Sequence, residues 1–420
     1  MNAGLQATEN QLKAQDAMAV SSKPGRVIRE ETCRVIGERF GSALRAVILT
    51  GSLAREEATM LEKDGGWQFL SDAEFLLLFH ERFRLPSAAD MLSAGTQAEA
   101  ALAEQNVQCH ISASACHADY LEDLRPHIFA YELRECGDVV WGDRSVLQSI
   151  RGFPAADIPL EDGWRLLSNR MVEHVEEFAA WDPLSPMVRG KLFYNTVKLC
   201  LDAATSLLLF AGCYEPTYRR RAERLKELSH DQNAIQMLAL PFSLQEFAEL
   251  VSFCTLLKLS PERASWNEAP WAFWETGVGQ AAQLWDWELG RMARISTPSS
   301  SEELMAHWMK AQSMIRNLYG WSYVLRRSPW QESLVCWPRW AWQALQGSPR
   351  YHVYAEARAL FGRLSAIRKQ ESEGNSADSE SAFRNSRLPL ALGGKERAGW
   401  RRRALEIGWN YHHFLEDTRA

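Results

Sequence analysis

Apolar positions change their spacing near residue 160. Before it, short apolar runs alternate with helical patterns. Ala46-Val47-Ile48-Leu49 is a compact run ending at Thr50-Gly51-Ser52, and Asp72 to Phe79 is a second run rich in Leu and Phe; both predict strands. Val107 to Ser114 alternates Val107, Cys109, Ile111 and Ala113 with polar neighbours, which predicts a half-buried strand. Arg26 to Phe40 carries Val27, Cys33, Val35, Ile36 and Phe40 at helical spacing and stops at Gly41. Ala88 to Glu104 also reads as a helix, helical patterns run from Ala118 to Glu135, and Val139-Val140-Trp141 closes the region. Strands interspersed with helices over roughly 125 residues predict a compact α+β domain.

From Glu161 onward, 3.6-period segments follow one another with almost no alternating runs, so the second half is expected to be all helical. The helices expected are Asp162 to Ala180, Met187 to Ala211, Pro216 to Leu228, Ser243 to Leu259, Pro270 to Met292, Ser300 to Leu318 and Tyr351 to Lys369. Ser243 with Glu246, and Ser300 with Glu303, have capping-box spacing, and Pro183, Pro186 and Pro216 punctuate loops. Gln370 to Asn385 is polar and nearly free of apolar residues, which predicts a mobile linker before a last helix near Glu396 to Leu415. The expected organisation is a tail over 1–25, an α+β domain over 26–150, an all-helical domain over 151–369, a flexible linker over 370–395 and a C-terminal helix over 396–420. The fold class is α+β, a short mixed sheet flanked by helices, followed by an all-α domain.

Composition narrows the function. With 420 residues the chain is too long for one hydrophobic core, while 46% apolar and 24% charged residues are ordinary for a globular protein. A net charge of −6 argues against wholesale binding of nucleic-acid backbone, which needs a surplus of Lys and Arg. A small molecule or a protein is the expected partner. Met1 to Val20 has no continuous apolar core and reads as neither a secretory nor a transit signal. The longest apolar run, Leu199 to Tyr214, is broken by Asp202 and is shorter than a membrane span, so no membrane association is expected. Eight cysteines without a Cys-x-x-Cys pair fit reduced thiols and a cytoplasmic location. Most of the 17 tryptophans fall after residue 260, where contacts between helices are their expected use.

The candidate chemistry lies in the first half. On a strand, Asp72 and Glu74 share one face about 6.6 Å apart, with Ala73 and Phe75 on the other. Two neighbouring carboxylates repel unless a cation compensates them, and magnesium takes one or two carboxylates together with phosphate oxygens and water. The pair alone carries little, because a chain with 53 acids contains such pairs by chance. Its companion is the turn after Ala46–Leu49. Gly51 lets backbone approach a phosphate closely, the Ser52 hydroxyl adds a donor, and Leu53-Ala54-Arg55-Glu56-Glu57 favours a helix start whose N–H groups point at an anion.

Thr50-Gly51-Ser52-Leu53-Ala54-Arg55, followed by Ser71-Asp72-Ala73-Glu74, resembles the Gly-Ser then Asp-x-[Asp/Glu] signature of the DNA-polymerase-β-like nucleotidyltransferase superfamily, in its minimal bacterial and small-molecule types. The resemblance covers roughly residues 26 to 150, and Tyr131-Glu132-Leu133-Arg134 to Val139-Val140-Trp141-Gly142-Asp143 is similar to the end of that domain. It implies that Gly51 and Ser52 hold a triphosphate, that Asp72 and Glu74 bind Mg2+ or Mn2+, and that Arg55 steadies the turn or the phosphates. The implied reaction moves a nucleoside monophosphate, AMP from ATP or another nucleotide from its triphosphate, to a hydroxyl of a small molecule or protein and releases pyrophosphate. Helical second domains of such enzymes often lend a Lys and a Tyr to the triphosphate; Lys191, Tyr194 and Lys198, at helical spacings of three and four, are the candidates here.

Three departures from the pattern stand out. Nineteen residues separate Ser52 from Asp72, so a loop over Met60 to Leu70 has to be accommodated. Glu56 stands where many members carry glycine. Active members place a third carboxylate on a later strand, here Val107 to Ser114, whose outward positions hold only Gln108, His110 and Ser112. His110 suits a general base near neutral pH but does not bridge two magnesium ions as a carboxylate does. The alternative is therefore a catalytically degenerate relative that acts as a nucleotide-binding regulatory or interaction module.

Other patterns are read conservatively. Cys109-His110 and Cys116-His117 lack the spacing of a closed zinc site. Gly277-Val278-Gly279 follows no apolar strand and is read as the start of a helix, and Arg219, Arg220, Arg221, Arg224 and Lys226 as a solvated helix face.

Overall fold

The structure, a computed structural model, describes residues 23–180, 186–263, 270–295, 299–328, 330–373, 388–389 and 399–414. It divides into two compact units. The first comprises residues 1–158 together with Glu215–Arg220 and Thr255–Ala264, and the second comprises 159–214, 221–254 and 265–420. A single cut near residue 150 therefore does not separate them, because two short pieces of the helical half complete the first unit.

The first unit is α+β. In chain order it contains α1 (Lys23–Phe40), β1 (Leu44–Thr50), α2 (Gly51–Ala54), β2 (Met60–Lys63), β3 (Gly66–Phe69), β4 (Ala73–Phe79), α3 (Ala88–Glu104), β5 (Val107–Gln108), β6 (Ile111–His117), α4 (Ile128–Cys136) and β7 (Asp138–Gly142). The main sheet has the order β6-β4-β1-β7. β1 runs antiparallel to both β4 and β7, and β4 runs parallel to β6. The two central strands are apolar on both faces because both faces are covered. Val47, Leu49, Phe75, Leu77 and Phe79 enter one buried cluster, which also takes Ile28 and Ile36 of α1 and Ala98 and Leu102 of α3. Ala46, Ile48, Leu76 and Leu78 enter another with Ala130 and Leu133 of α4. Each fully buried Leu, Ile or Phe of this kind contributes roughly 1.5–3 kcal/mol.

Two expectations are corrected here. The stretch Met60 to Leu70 is not a plain loop but the hairpin β2–β3, which joins β5 in a second sheet of order β2-β3-β5. Asp64 and Gly65, at φ 53° and 76°, form its turn, and two left-handed residues match the twist of a tight hairpin. Val107 to Ser114 is not one strand either. β5 pairs with β3, β6 pairs with β4, and the chain changes sheet across Cys109-His110. Gln108 thus lies in the second sheet, away from the face expected for it. The helical pattern of Ala118 to Glu135 resolves into a 3-10 turn, Ala118–Leu121, and α4.

The second unit is helical. Its described helices include α5 (Leu160–Ala179), α6 (Pro186–Phe210), α7 (Tyr218–His230, whose first three residues belong to the first unit), α8 (Gln232–Leu238), α9 (Leu244–Leu259, whose residues from Thr255 onward belong to the first unit), α10 (Pro270–Ala293), α11 (Ser301–Lys310), α12 (Met314–Arg327), α13 (Trp330–Gln346), α14 (Pro349–Phe361), α15 (Leu364–Ser372) and α16 (Trp400–Phe414). Gly277 and Gly279 lie inside α10, in keeping with the helical reading. The expected helices Ser300–Leu318 and Tyr351–Lys369 are each broken in two, at 311–313 and 362–363; α8 and α13 were not expected. Trp164, Trp274, Trp285 and Trp400 are fully buried, and the indole N–H groups of Trp274 and Trp285 donate to His174 Nε2 and Ser168 Oγ, both at 2.8 Å. Most of the linker expected over 370–395 lies outside the described residues. Leu388 and Pro389 within it are packed: Leu388 is buried, and the Pro389 carbonyl accepts from Trp340 Nε1 at 2.7 Å. No described helix is long and apolar enough to cross a membrane.

Candidate active site

β1 ends at Thr50 and the chain turns into α2 at Gly51, whose φ of +66° is a left-handed conformation that suits glycine. Thr50 is the extended residue before this single helical turn, and no side chain caps it. Ser52 is buried within the turn. Across the antiparallel ladder, Thr50 stands opposite Glu74. A Cβ added to Gly51 would lie 2.8 Å from the Glu74 carboxyl carbon and from its Oε2. The missing side chain of the turn is thus the space that the Glu74 carboxylate occupies.

Asp72 and Glu74 are both exposed, on either side of buried Ala73, as their alternation predicted. The Ala73 N–H donates to the His110 carbonyl at 2.9 Å, and in-register pairing sets Glu74 opposite Ser112. Residues in register on parallel neighbours project to the same face. Ser112 therefore stands where a third carboxylate would complete the cluster, and it is exposed. The His110 ring is 61% exposed, and its Nδ1 lies 2.6 Å from Glu99 Oε1, which also accepts the Ile111 N–H at 2.9 Å. Glu99 thereby fixes both the ring and the start of β6.

The Arg55 side chain is only 6% exposed and is ion-paired with Glu132 of α4 and with Glu57. Glu57 is itself buried, and its two carboxylate oxygens accept the backbone N–H groups of Tyr218 at 2.8 Å and Arg219 at 3.0 Å. Lys191, Tyr194 and Lys198 belong to the second unit. Lys191 is ion-paired with Glu177 at 3.4 Å, and the Lys198 ammonium lies 5.8 Å from the centre of the buried Tyr194 ring. These contacts link the trio along α6 and to α5.

Sequence reasoning missed the residues behind the acidic strand. Lys258, Thr59 and Ser71 form a buried hydrogen-bonded group, with partners 187 and 199 residues apart. No local spacing announces such pairs. The hairpin did have a signal, Asp64-Gly65, the dipeptide favoured in two-residue turns.

The donors fit one hydrated divalent ion. Two exposed carboxylates on one face leave room for water and substrate oxygens, the mixture magnesium prefers, and manganese accepts the same oxygen ligands. Among the described residues there is no group of three or more His, Cys, Asp and Glu arranged to hold a metal, so a bridging acid for a second ion is absent there. Cys109 is no substitute: burial, with Asp72 adding a smaller push, raises its thiol to about 12, and a protonated thiol is a poor ligand.

No family model matches this chain, and no curated protein or solved structure matches it.

Proposed function

We propose that this protein is a metal-dependent nucleotidyltransferase of the DNA-polymerase-β-like type. It moves a nucleoside monophosphate, AMP from ATP in the first instance, to a hydroxyl of a small molecule or protein. The cytoplasm is the proposed location, where its eight cysteines would stay reduced. The observation that carries the reading is that the Glu74 carboxylate fills the space beside Gly51 where a side chain would lie. Two motifs read separately along the chain meet across neighbouring strands, so a phosphate on the turn and an ion on the acids would share one space.

Asp72 and Glu74 would hold one Mg2+ or Mn2+, which when bound neutralises phosphate charge and polarises the phosphoryl oxygens. Gly51 admits a phosphate to the backbone of the turn, and Ser52 belongs to the same turn. In the reaction the acceptor oxygen forms a bond to the α-phosphorus while the bond to the pyrophosphate oxygen breaks. The acceptor proton needs a base. The His110 carbonyl accepts the N–H of Ala73, next to Asp72, and with Nδ1 held by Glu99 the ring's Nε2 is the nitrogen that would take that proton.

The deciding experiment is calorimetric titration with ATP, with and without magnesium, on the wild type and on the Asp72→Ala, Glu74→Ala double variant. Magnesium-dependent binding that the double variant loses supports the assignment, and pyrophosphate release with a candidate acceptor would extend it to catalysis. Equal binding by both proteins would place nucleotide elsewhere and sink the reading. Ser112 opposite Glu74 favours a second reading, a nucleotide-binding regulatory or interaction module. ATP bound through Asp72 and Glu74 without pyrophosphate release from any acceptor would select it.

A further inference from the structure

Ser71 immediately precedes Asp72, and its hydroxyl is buried. Its Oγ accepts two hydrogen bonds, from the Thr59 N–H at 2.9 Å and from the Lys258 ammonium at 2.8 Å. Lys258 is 3% exposed. Its carbonyl accepts the Thr59 hydroxyl at 2.9 Å, so side chain and backbone both engage the start of the acidic strand. The ammonium also lies 6.0 Å from the centre of the Tyr218 ring, and the Arg55 guanidinium lies 5.2 Å from the same ring. Tyr218 in turn is tied by its N–H to Glu57. All of these residues belong to the first unit.

Asp72 is consequently held from both flanks. Ser71 is fastened by Lys258 and Thr59, and Ala73 by the His110 carbonyl. Asp72 itself precedes the first residue of β4, so its orientation depends on these neighbours rather than on the ladder. Burying an ammonium is costly, and an apolar side chain of similar length would fill the space without that cost. What Lys258 adds over such a side chain at this strand is a charged donor to Ser71, the residue beside Asp72.

We infer that Lys258 is a positioning residue for the metal-binding carboxylate: through Ser71 Oγ it sets the backbone that presents Asp72 to a divalent cation. This inference rests on the proposed metal role of Asp72 and Glu74. Groups that orient ligands from behind typically change metal affinity by about 10–100-fold when removed.

The test titrates the full chain with Mn2+ alone, following free ion by electron paramagnetic resonance. The proteins are wild type, Asp72→Ala, Lys258→Met, Ser71→Ala, the Lys258→Met, Ser71→Ala double variant and Lys258→Arg. Expected are losses of roughly 10-fold or more in Lys258→Met and in Ser71→Ala. The double variant should be no weaker than the worse single one, because both cut the same link, and Lys258→Arg, which keeps a donor, should recover part of the affinity. If Lys258→Met does not fold, Ser71→Ala decides the matter, since it leaves Lys258 in place. Wild-type affinity in the folded single variants, or additive losses in the double, would overturn the inference while leaving Asp72 as a ligand. Mn2+ binding that is absent, or that Asp72→Ala does not reduce, would overturn the metal site and this inference together.

Discussion

The Glu74 carboxylate occupies the space that a side chain on Gly51 would need. A carbon placed on Gly51 would meet the carboxyl group of Glu74 at 2.8 Å, well inside ordinary contact, and Gly51 sits at φ +66°. Steric room and backbone conformation therefore demand the same residue at this position, and a change there disturbs the turn and the acid at once.

Gly51→Ala should lower unfolding free energy by about 1–2 kcal/mol from the left-handed backbone alone, with a further loss from displacing Glu74. Urea denaturation reads the first effect and magnesium-dependent ATP binding the second. An unaltered urea midpoint would contradict a left-handed backbone at Gly51.

Glu56→Gly should act in the opposite direction. Glu56 is exposed and held at φ 58°, where an L side chain is strained. Relief of about 1–2 kcal/mol, less the roughly 0.5–1 kcal/mol that extra glycine freedom costs, predicts a stability gain of up to about 1.5 kcal/mol. Glu56→Ala should give no comparable gain, because alanine keeps the Cβ.

Ser112→Asp would set a third carboxylate opposite Glu74. Without metal the like charges should cost roughly 0.2–1 kcal/mol. With manganese the sign should reverse, and the melting temperature of the variant should rise with metal more steeply than that of the wild type. A variant indifferent to manganese would show that this face is not where a cation binds.

His174 should shape the acid limb of the stability curve. It is fully buried, its Nε2 accepts from Trp274, and burial, with Arg170 adding a little, pushes its pKa down from 6.5 to about 3. The unfolded imidazole takes up a proton below 6.5 while the folded one does not. The stability tied to the neutral ring is present above 6.5 and is lost as pH falls toward about 3. His174→Gln, which retains an acceptor for Trp274, should flatten that part of the curve in urea melts at stepped pH.

What the residue pattern disclosed follows from how local each signal is. β1 and β4 are central strands covered on both faces, so Val47 to Leu49 and Phe75 to Phe79 stand out as unbroken apolar runs. The acidic pair and the Gly-Ser turn lie at the ends of those runs and were legible with them. Apart from its Asp64-Gly65 turn the hairpin gave no pattern, because Met60, Leu61 and Gly66 to Gln68 are only partly buried while Glu62 and Lys63 are exposed. β5 and β6 looked like one strand because alternation continues across Cys109-His110, where the chain passes from one sheet to the other. Trp330–Gln346 was missed because Pro338 interrupts its pattern. Glu57 with Tyr218, and Ser71 with Lys258, were out of reach, since nothing near either partner marks the other.

The discontinuity of the first unit has a consequence for its synthesis. Residue 158 leaves the ribosome 106 residues before residue 264, the last that this unit requires. At the usual pace of about 5–20 residues per second, the interval is on the order of 5–20 s. During it Glu57 and Ser71 lack Tyr218 and Lys258, their partners in the folded unit. The start of the acidic strand can therefore reach its native setting only after Lys258 has emerged, well after the rest of the sheet has been made.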